Sequence, residues 1–491
     1  MRKERKYLIM MRSLFSGVSG LKSHQTRMDV IGNNIANVNT TGFKSSRTTF
    51  ADTLSQTLSG ASAPQDNIGG TNPKQIGLGT GVASIDLLFT DGSVQSTGKN
   101  TDLCLSGNGL FVVKRGSETY YTRDGAFEFD AEGNYVLPSS GLYVQGWTAT
   151  DGVLNTSGAA GNIKIAAGKS MAAKETSLLT YSNNLNASVP TIVSYKYKDK
   201  TVNTKGSSQT ATATDPVTLT MSDGSTVTET TGKYTVGYSL PVTTTVNVYD
   251  TLGNAHALTL YFTKTDTNST QGNSWMVSVD ANNLDGTASN TTITEDDGSS
   301  TTVNLSAKAL NFTTEGKFNA GSGTVTLTLT NGASDWDKTN SKGTTTQTIT
   351  LNLDSITQYS GTSTINATSN GNAAGTLSSV SVDSSGIITG TYTNGVKQTE
   401  AQVAVAQFTN ASGLTKTGNS LYQESNNSGT ANVKTASDLG VTITPSALEM
   451  SNVDIANEFS DMIITQRGFQ SNSKIITVGD EMLETLINMK R

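Results

Sequence analysis

Hydrophobic residues recur with two different periods along this chain, and the change between them predicts helical ends around a β-rich middle. Near the start, Leu14, Val18, Leu21, Gln25, Met28 and Ile35 follow steps of three and four residues, the spacing of one helix face. The pattern predicts a helix over 13–38, about 39 Å long at ~1.5 Å per residue. At the far end, Ile455, Phe459, Met462, Gln466, Phe469, Ile476, Leu483 and Ile487 fall on one heptad grid, interrupted by Ser473 and Asp480. They predict a second helix over 451–491. Asp454 and Glu458 near its start and Lys490 and Arg491 at its end suit the macrodipole. Ser451 or Asn452 is placed to cap it.

Both stripes are narrow, and a helix with an unpartnered apolar stripe is marginal in water. Gly17, Gly20 and Gly32 weaken the first helix further, each by about 1 kcal/mol relative to alanine. Packing the two stripes against each other and against copies from neighbouring chains, as in a coiled coil, buries both. The plainer alternative is a helical hairpin inside a monomer core.

Between the ends the period is two. Residues 120–123, 126–129 and Tyr135–Leu137 read as short strands joined by Asp124-Gly125 and by Glu132-Gly133-Asn134, since Asp-Gly is a strong hairpin signal. Val242–Tyr249 and 258–263 pair across Leu252-Gly253-Asn254, and Ile387–Tyr392 pairs with 402–408. Residues 324–330 alternate apolar and hydroxyl-bearing side chains, as expected of antiparallel sheets with one solvated face. Stretches 201–214, 287–302 and 332–346, rich in Thr, Ser, Asn and Gly, read as loops or hairpin tips. Residues 59–81 read as a connector, and no internal repeat stands out.

Composition fits this picture. Charged residues are 15% of the 491, against about 25% in an average soluble protein. The net charge of −6 leaves no basic face for nucleic acid. The basic start (Arg2, Lys3, Arg5, Lys6) precedes an apolar run too short for the roughly 7–15-residue core of a secretory signal. No stretch approaches the ~20 apolar residues that cross a bilayer, so membrane insertion is not expected. The first residues read as a disordered tail or an early start, with Met10 and Met11 as second starts.

Catalytic chemistry is poorly represented. Single Cys104 excludes an intramolecular disulfide, and its alternation with Leu103 and Leu105 makes it a buried strand position. His24 and His256 have no nucleophile motif nearby and read as surface or turn residues. The run 77–81 lacks the Lys-Ser/Thr ending of a phosphate loop, and Asp296-Asp297-Gly298 lacks the spacing of a calcium loop. No catalytic, metal or cofactor site is expected.

Specific blocks carry a resemblance. Arg12-Ser13-Leu14-Phe15-Ser16-Gly17-Val18-Ser19-Gly20-Leu21, then Ile31-Gly32-Asn33-Asn34-Ile35-Ala36-Asn37 and Thr41-Gly42-Phe43-Lys44, resemble the start of the flagellar rod and hook axial family. Ala447-Leu448-Glu449-Met450-Ser451-Asn452-Val453-Asp454 and Gln466-Arg467-Gly468-Phe469-Gln470-Ser471-Asn472 are similar to its C-terminal signature. Asn247-Val248-Tyr249-Asp250 with Gly253-Asn254-Ala255-His256, and Val405-Ala406-Gln407-Phe408, bring the likeness closest to hook members. Length favours them over shorter rod members.

The resemblance implies a mainly β fold with two or more antiparallel β domains, whose terminal helices form a coiled-coil-like core on assembly. Its division would be 1–12 as a tail, 13–38 and 451–491 as core helices, 39–80 as an extended connector, 81–147 and 375–450 as an inner β domain, and 148–374 as outer β with an insertion near 191–241. The polymerisation core would be Leu14, Val18, Leu21, Met28, Ile35, Ile455, Phe459, Met462, Phe469, Ile476, Leu483 and Ile487. Family motif positions are Asn33, Asn34, Asn37, Gly42, Phe43, Asn452, Asp454, Gln466, Arg467, Gln470 and Asn472. It further implies a torque-transmitting flexible tube, export by the flagellar type III apparatus without a cleaved signal, and contact with hook-cap, distal-rod and hook–filament junction proteins. A distal-rod-type polymer and a secreted β-rich adhesin are the competing readings.

Overall fold

The computed structural model describes residues 2–64, 69–268, 272–282, 284, 290–294, 300–305, 309–319, 325–331 and 346–489. They form two units, the first from Met1–Lys169, Leu377–Thr391 and Lys397–Arg491 and the second from Ser170–Thr376 and Tyr392–Val396. The architecture is mainly β, with two long helices packed on each other in the first unit.

Helix α1 runs Arg2–Ala36 and helix α2 runs Ile455–Asn488. The expected tail therefore joins α1. Its sequence has no Gly or Pro and is rich in Arg, Met and Lys, all good helix formers. Asp454, not Ser451 or Asn452, caps α2: its Oδ1 accepts from the backbone N–H of Ala456 at 2.9 Å and of Asn457 at 3.3 Å. Among the described residues, no helix is long and apolar enough to cross a membrane.

Beyond α1 the expected connector is a two-stranded β-ribbon. Ser46–Asp52 pairs antiparallel with Thr80–Leu87, and Ser55–Ser59 continues the pairing with Lys74–Gly77. The run 77–81 links the two paired halves of this ribbon and lies against α1, with Gly79 too close to Ser19 to carry a Cβ.

The β part of the first unit has two cores. In the strand Leu110–Arg115, Phe111 and Val113 join Phe127, Tyr135, Val144 and Val403, while Leu110 and Val112 join Tyr121, Trp147, Phe408 and Tyr422. Burial on both faces explains why this strand reads as a continuous apolar run. Cys104 is buried in the strand Leu103–Ser106, and burial, with Glu449 adding to it, pushes its thiol up to about 11. Folded protein should resist maleimide at about pH 8 and react only on unfolding; rapid labelling of the native chain would contradict that burial.

In the second unit, Leu178–Asn186 lies parallel to Thr346–Tyr359, and Val242–Tyr249 pairs antiparallel with Ala255–Asn268. Tyr181, Phe262, Trp275, Leu327 and Ile349 lie in one large core. Residues Ile192, Tyr195, Val217, Leu219, Met221 and Tyr234 gather around a smaller one. Lys200–Val202 and Ser208–Ala211 are strands where 201–214 read as loop. Within 287–302, Asn290–Thr294 and Ser300–Leu305 form a hairpin. Residues 332–345 and the sequence 296–298 lie outside the described residues.

A turn recurs although no long repeat does. In Asp130-Ala131-Glu132-Gly133-Asn134, the Asp130 Oδ1 accepts from the N–H groups of Glu132 and Asn134, and Gly133 has φ +84°. Asp250 accepts identically from Leu252 and Asn254, and Asp383 from Ser385 and Ile387, with Gly253 and Gly386 at positive φ. An Asp side chain that bonds its own loop, followed by a glycine free to turn left-handed, fixes the hairpin register. Asp124-Gly125 does not follow this rule, and the hairpin expected there is absent. The strand Glu118–Thr122 pairs instead with Leu110–Arg115 and Leu421–Gln423, while Gly125 lies flat on the carbonyl of Leu103. His256 is likewise no turn residue. It is buried in the strand after Asn254, its Nε2 3.6 Å from Asp250 Oδ2.

Candidate functional site: the helix pair and its root

The two helices run antiparallel along a seam of small residues. Asn34 meets Glu458, Arg27 meets Asp461 at 2.9 Å, Gly20 faces Asn472, and Leu14 reaches Gly479. Gly17, Gly20 and Ser23 of α1 are buried there, as are Thr465 and Gly479 of α2. A Cβ on Gly20 would come within 2.7 Å of Asn472 Nδ2, one on Gly468 within 2.8 Å of His24, and one on Gly479 within 2.6 Å of Leu14 Cδ2. Gly20, one of the glycines that weaken α1 as an isolated helix, thus lets its backbone approach α2, whereas a Cβ on Gly32 would meet nothing within 4 Å. His24 is half-buried rather than on the surface, edge-on to Phe50 at 6.0 Å.

Small residues take the closest approaches of the seam, and apart from buried Ile31 the large apolar side chains of the pair stay only partly covered. Leu14, Leu21, Met28, Ile35, Met462, Phe469, Ile476 and Leu483 are half-buried, while Val18, Ile455, Phe459 and Ile487 are exposed. None of the twelve stripe residues is fully covered within the chain. Phe15, Ile463, Ile464, Ile475, Val478 and Met482 are exposed too, with Ile464 at 62%. These flank the seam on both sides, where a single heptad row does not reach.

The asparagine motif sits where both helices meet the ribbon. Asn34 Oδ1 accepts from the N–H of Ser46 at 3.0 Å; its Nδ2 donates to the carbonyl of Ser46 and to Glu458 Oε1, both at 2.9 Å. Asn452 Oδ1 accepts from the N–H of Ser45 at 2.8 Å, and its Nδ2 donates to the carbonyl of Leu88 at 2.8 Å and to Thr90 Oγ1 at 2.9 Å. Those bonds occupy Asn452, which leaves the cap to Asp454. Burial raises the carboxyl of Glu458 above its ordinary range, against the opposing hydrogen bond from Asn34.

Asn37 closes α1, donating from Nδ2 to the carbonyl of Asn33 at 2.9 Å and accepting from Thr40. Gly42, at φ +63°, has the backbone N of Asp124 only 2.4 Å from where a Cβ would stand. Phe43 is buried under Lys416, whose Nζ lies 3.8 Å from the ring centre. Gln466, Arg467 and Gln470 are exposed on α2, whereas Asn472 enters the seam.

Beneath this root lies a buried ion cluster that motif reading did not identify as such. Lys44 Nζ is 2.6 Å from Glu449 Oε1 and donates to the carbonyl of Thr90 at 2.6 Å. Arg123 Nη1 is 3.1 Å from Glu449 Oε2 and 3.4 Å from Asp91 Oδ1. The side chains of Lys44, Arg123 and Glu449 are each no more than 1% exposed. Burial, followed by the charge of Arg123, holds the Lys44 ammonium below its ordinary value, while Glu449 opposes the shift. Lys44 and Glu449 each stand inside a terminal motif; only the fold reveals that they meet. A cleft of about 790 Å³ opens beside α1, lined by Asp29, Asn33, Asn37, Phe43, Asp124 and Lys416. Among the described residues, no group of three His, Cys, Asp or Glu could hold a metal.

Four family descriptions match: "Flagella basal body rod protein" over 14–44, "Flagellar hook protein FlgE/F/G D1 domain" over 104–207, "Flagellar basal body protein FlaE D2 domain" over 235–372 and "Flagellar basal body rod FlgEFG protein C-terminal" over 444–489. The flagellar hook protein FlgE of Treponema pallidum is 38% identical over 98% of this chain and 100% of its own length. That of Borreliella burgdorferi is 38% identical with the same coverage, and that of Salmonella typhimurium is 31% identical over 97% of the chain and 100% of its own.

Proposed function

The chain belongs to the flagellar hook protein FlgE family, a structural and non-enzymatic hook component, and on that premise we propose that it polymerises through its helix pair into a flexible curved tube. The tube would transmit torque from rod to filament as a universal joint. The observation that carries this reading is the apolar surface left open on both flanks of α2, with Phe459 49% exposed. A patch this apolar on a helix marks a surface that another molecule covers.

Leu14, Val18, Leu21, Met28, Ile35, Ile455, Phe459, Met462, Phe469, Ile476, Leu483 and Ile487 would form the permanent contacts. Outer surfaces rich in Thr, Ser and Asn would supply adjustable ones, since hydrogen bonds exchange with water at a net cost of about 1 kcal/mol each. The hook cap, distal-rod and junction proteins are the proposed partners, and type III export without a cleaved signal is the proposed route.

The ribbon would stiffen this tube. A lone two-stranded ribbon is marginal in water, and Leu54, Leu58 and Ile76 are all exposed along it. Deleting 59–74 should soften the polymer; unchanged bending stiffness would count against this role. Electron microscopy of the purified protein after salting out tests the whole reading. Curved tubes are expected. A straight, rigid assembly would favour a distal-rod type, and no ordered assembly would sink the proposal.

A further inference from the structure

We infer that the side-chain amides of Asn34 and Asn452 act as a two-sided clamp that fixes the direction in which the ribbon leaves the helix pair. Ser45 and Ser46 are consecutive residues at the foot of the ribbon. Successive N–H groups of extended chain point to opposite edges, and here each is taken by an amide from a different end of the protein. Asn34, on α1, binds both the N–H and the carbonyl of Ser46, as a neighbouring strand would. Asn452, just before α2, completes the last rung of the ladder. Leu88 donates directly to the carbonyl of Ser45 at 2.9 Å, while the Asn452 amide bridges the N–H of Ser45 to the carbonyl of Leu88.

The chemistry requires an amide at both places. Each side chain accepts with its oxygen and donates with its nitrogen at once, which neither a carboxylate nor a hydrocarbon can do. Other polar contacts between ribbon and α1 are longer: Ser23 Oγ to the carbonyl of Thr80 and the N–H of Thr80 to Ser19 Oγ, each 3.3 Å. A two-stranded ribbon has no third strand to set its course, so its foot decides where Leu54, Leu58 and Ile76 are presented. Asn34 and Asn452 are therefore positioning residues. Their consequence for assembly rests on the polymer reading; the clamp itself does not.

The full-length monomer, spin-labelled at Ser55→Cys on the ribbon and Lys474→Cys on α2, reports the angle by pulsed electron paramagnetic resonance. Native Cys104 is buried. A single narrow distance distribution is expected for the parent. Asn34→Asp should broaden it about twofold or more at neutral pH, because a carboxylate repels the Ser46 carbonyl and Glu458. At about pH 4 the introduced carboxyl regains a proton to donate, and the distribution should narrow again. Asn452→Asp should behave likewise against Leu88. Asn34→Leu should stay broad at both pH values. Glu458, Asp461, Arg27 and Asp454 face the Asn34 side, and Lys44, which shares the Thr90 carbonyl with Asn452, faces the other with its partner Glu449, so the parent at each pH is the reference. Unchanged widths at neutral pH, or recovery of the leucine variant in acid, would overturn the clamp. A second pair, Lys22→Cys with Lys474→Cys, reads the helix seam alone. If that pair broadens equally, the amides hold the helices together rather than aim the ribbon, and the inference fails.

Discussion

Replacing Glu449 by alanine is expected to destabilise the first unit by about 3–5 kcal/mol while leaving the second unit unchanged. The variant would leave Lys44 and Arg123 buried with only Asp91 and backbone carbonyls for company. An unpaired buried charge forfeits the attraction that offset its desolvation. The loss is large against a typical domain stability of about 5–15 kcal/mol. Trp147 lies in the first unit and Trp275 in the second. Single-tryptophan versions followed in urea therefore separate the two transitions. A shift of the Trp147 transition smaller than about 0.5 kcal/mol would show that the cluster contributes little. Replacing Lys44, Arg123 and Glu449 together by methionine should restore much of the loss, since apolar substitutes carry no desolvation penalty.

The triple variant Phe459→Ser, Met462→Ser and Phe469→Ser should abolish polymerisation with the β cores intact. Each large apolar side chain contributes roughly 1.5–3 kcal/mol when taken fully out of water. Phe459 is exposed and the other two are half-buried, so most of that gain is unrealised within one chain. It would be collected only against another copy, and the contact repeats at every subunit. Sedimentation after salting out reads assembly, and near-ultraviolet circular dichroism reads the cores. Filaments of normal length from this variant would show that the binding surface lies elsewhere.

What sequence made legible depended on how local the cause was. The helix period marked α1 and α2 because each exposes its pattern over many turns. Val242–Tyr249 and Ile387–Tyr392 emerged with their observed bounds from two-residue alternation closed by glycine turns. The Asp124-Gly125 hairpin failed because a turn signal is only a preference, and the strand ending at Thr122 is already paired on both edges, by neighbouring Leu110–Arg115 and distant Leu421–Gln423. The ribbon was hidden by its polarity: every residue of Ser55–Ser59 is exposed, so no buried face announced a strand. At the helix pair, periodicity located the large side chains but not the seam, because glycine, serine and threonine add nothing to an apolar stripe. Asn34, Asn452 and Asp454 were visible as motif residues. Which of them clamps and which caps depends on Ser45, Ser46 and Leu88, brought near from separate parts of the chain.

The two units differ in how much of the polypeptide each requires before it can close. The second is nearly one uninterrupted run and holds its own partners. The first must bring Leu105 beside Ile443, and Lys44 beside Glu449, 405 positions away. Contacts of such long range form late, since the intervening chain has to be gathered in first. The middle can thus mature while both extremities wait. A polypeptide cut short before Ala447 would carry a finished second unit yet lack the closing strand of the first, so it could not take a place in a growing assembly and block the next arrival.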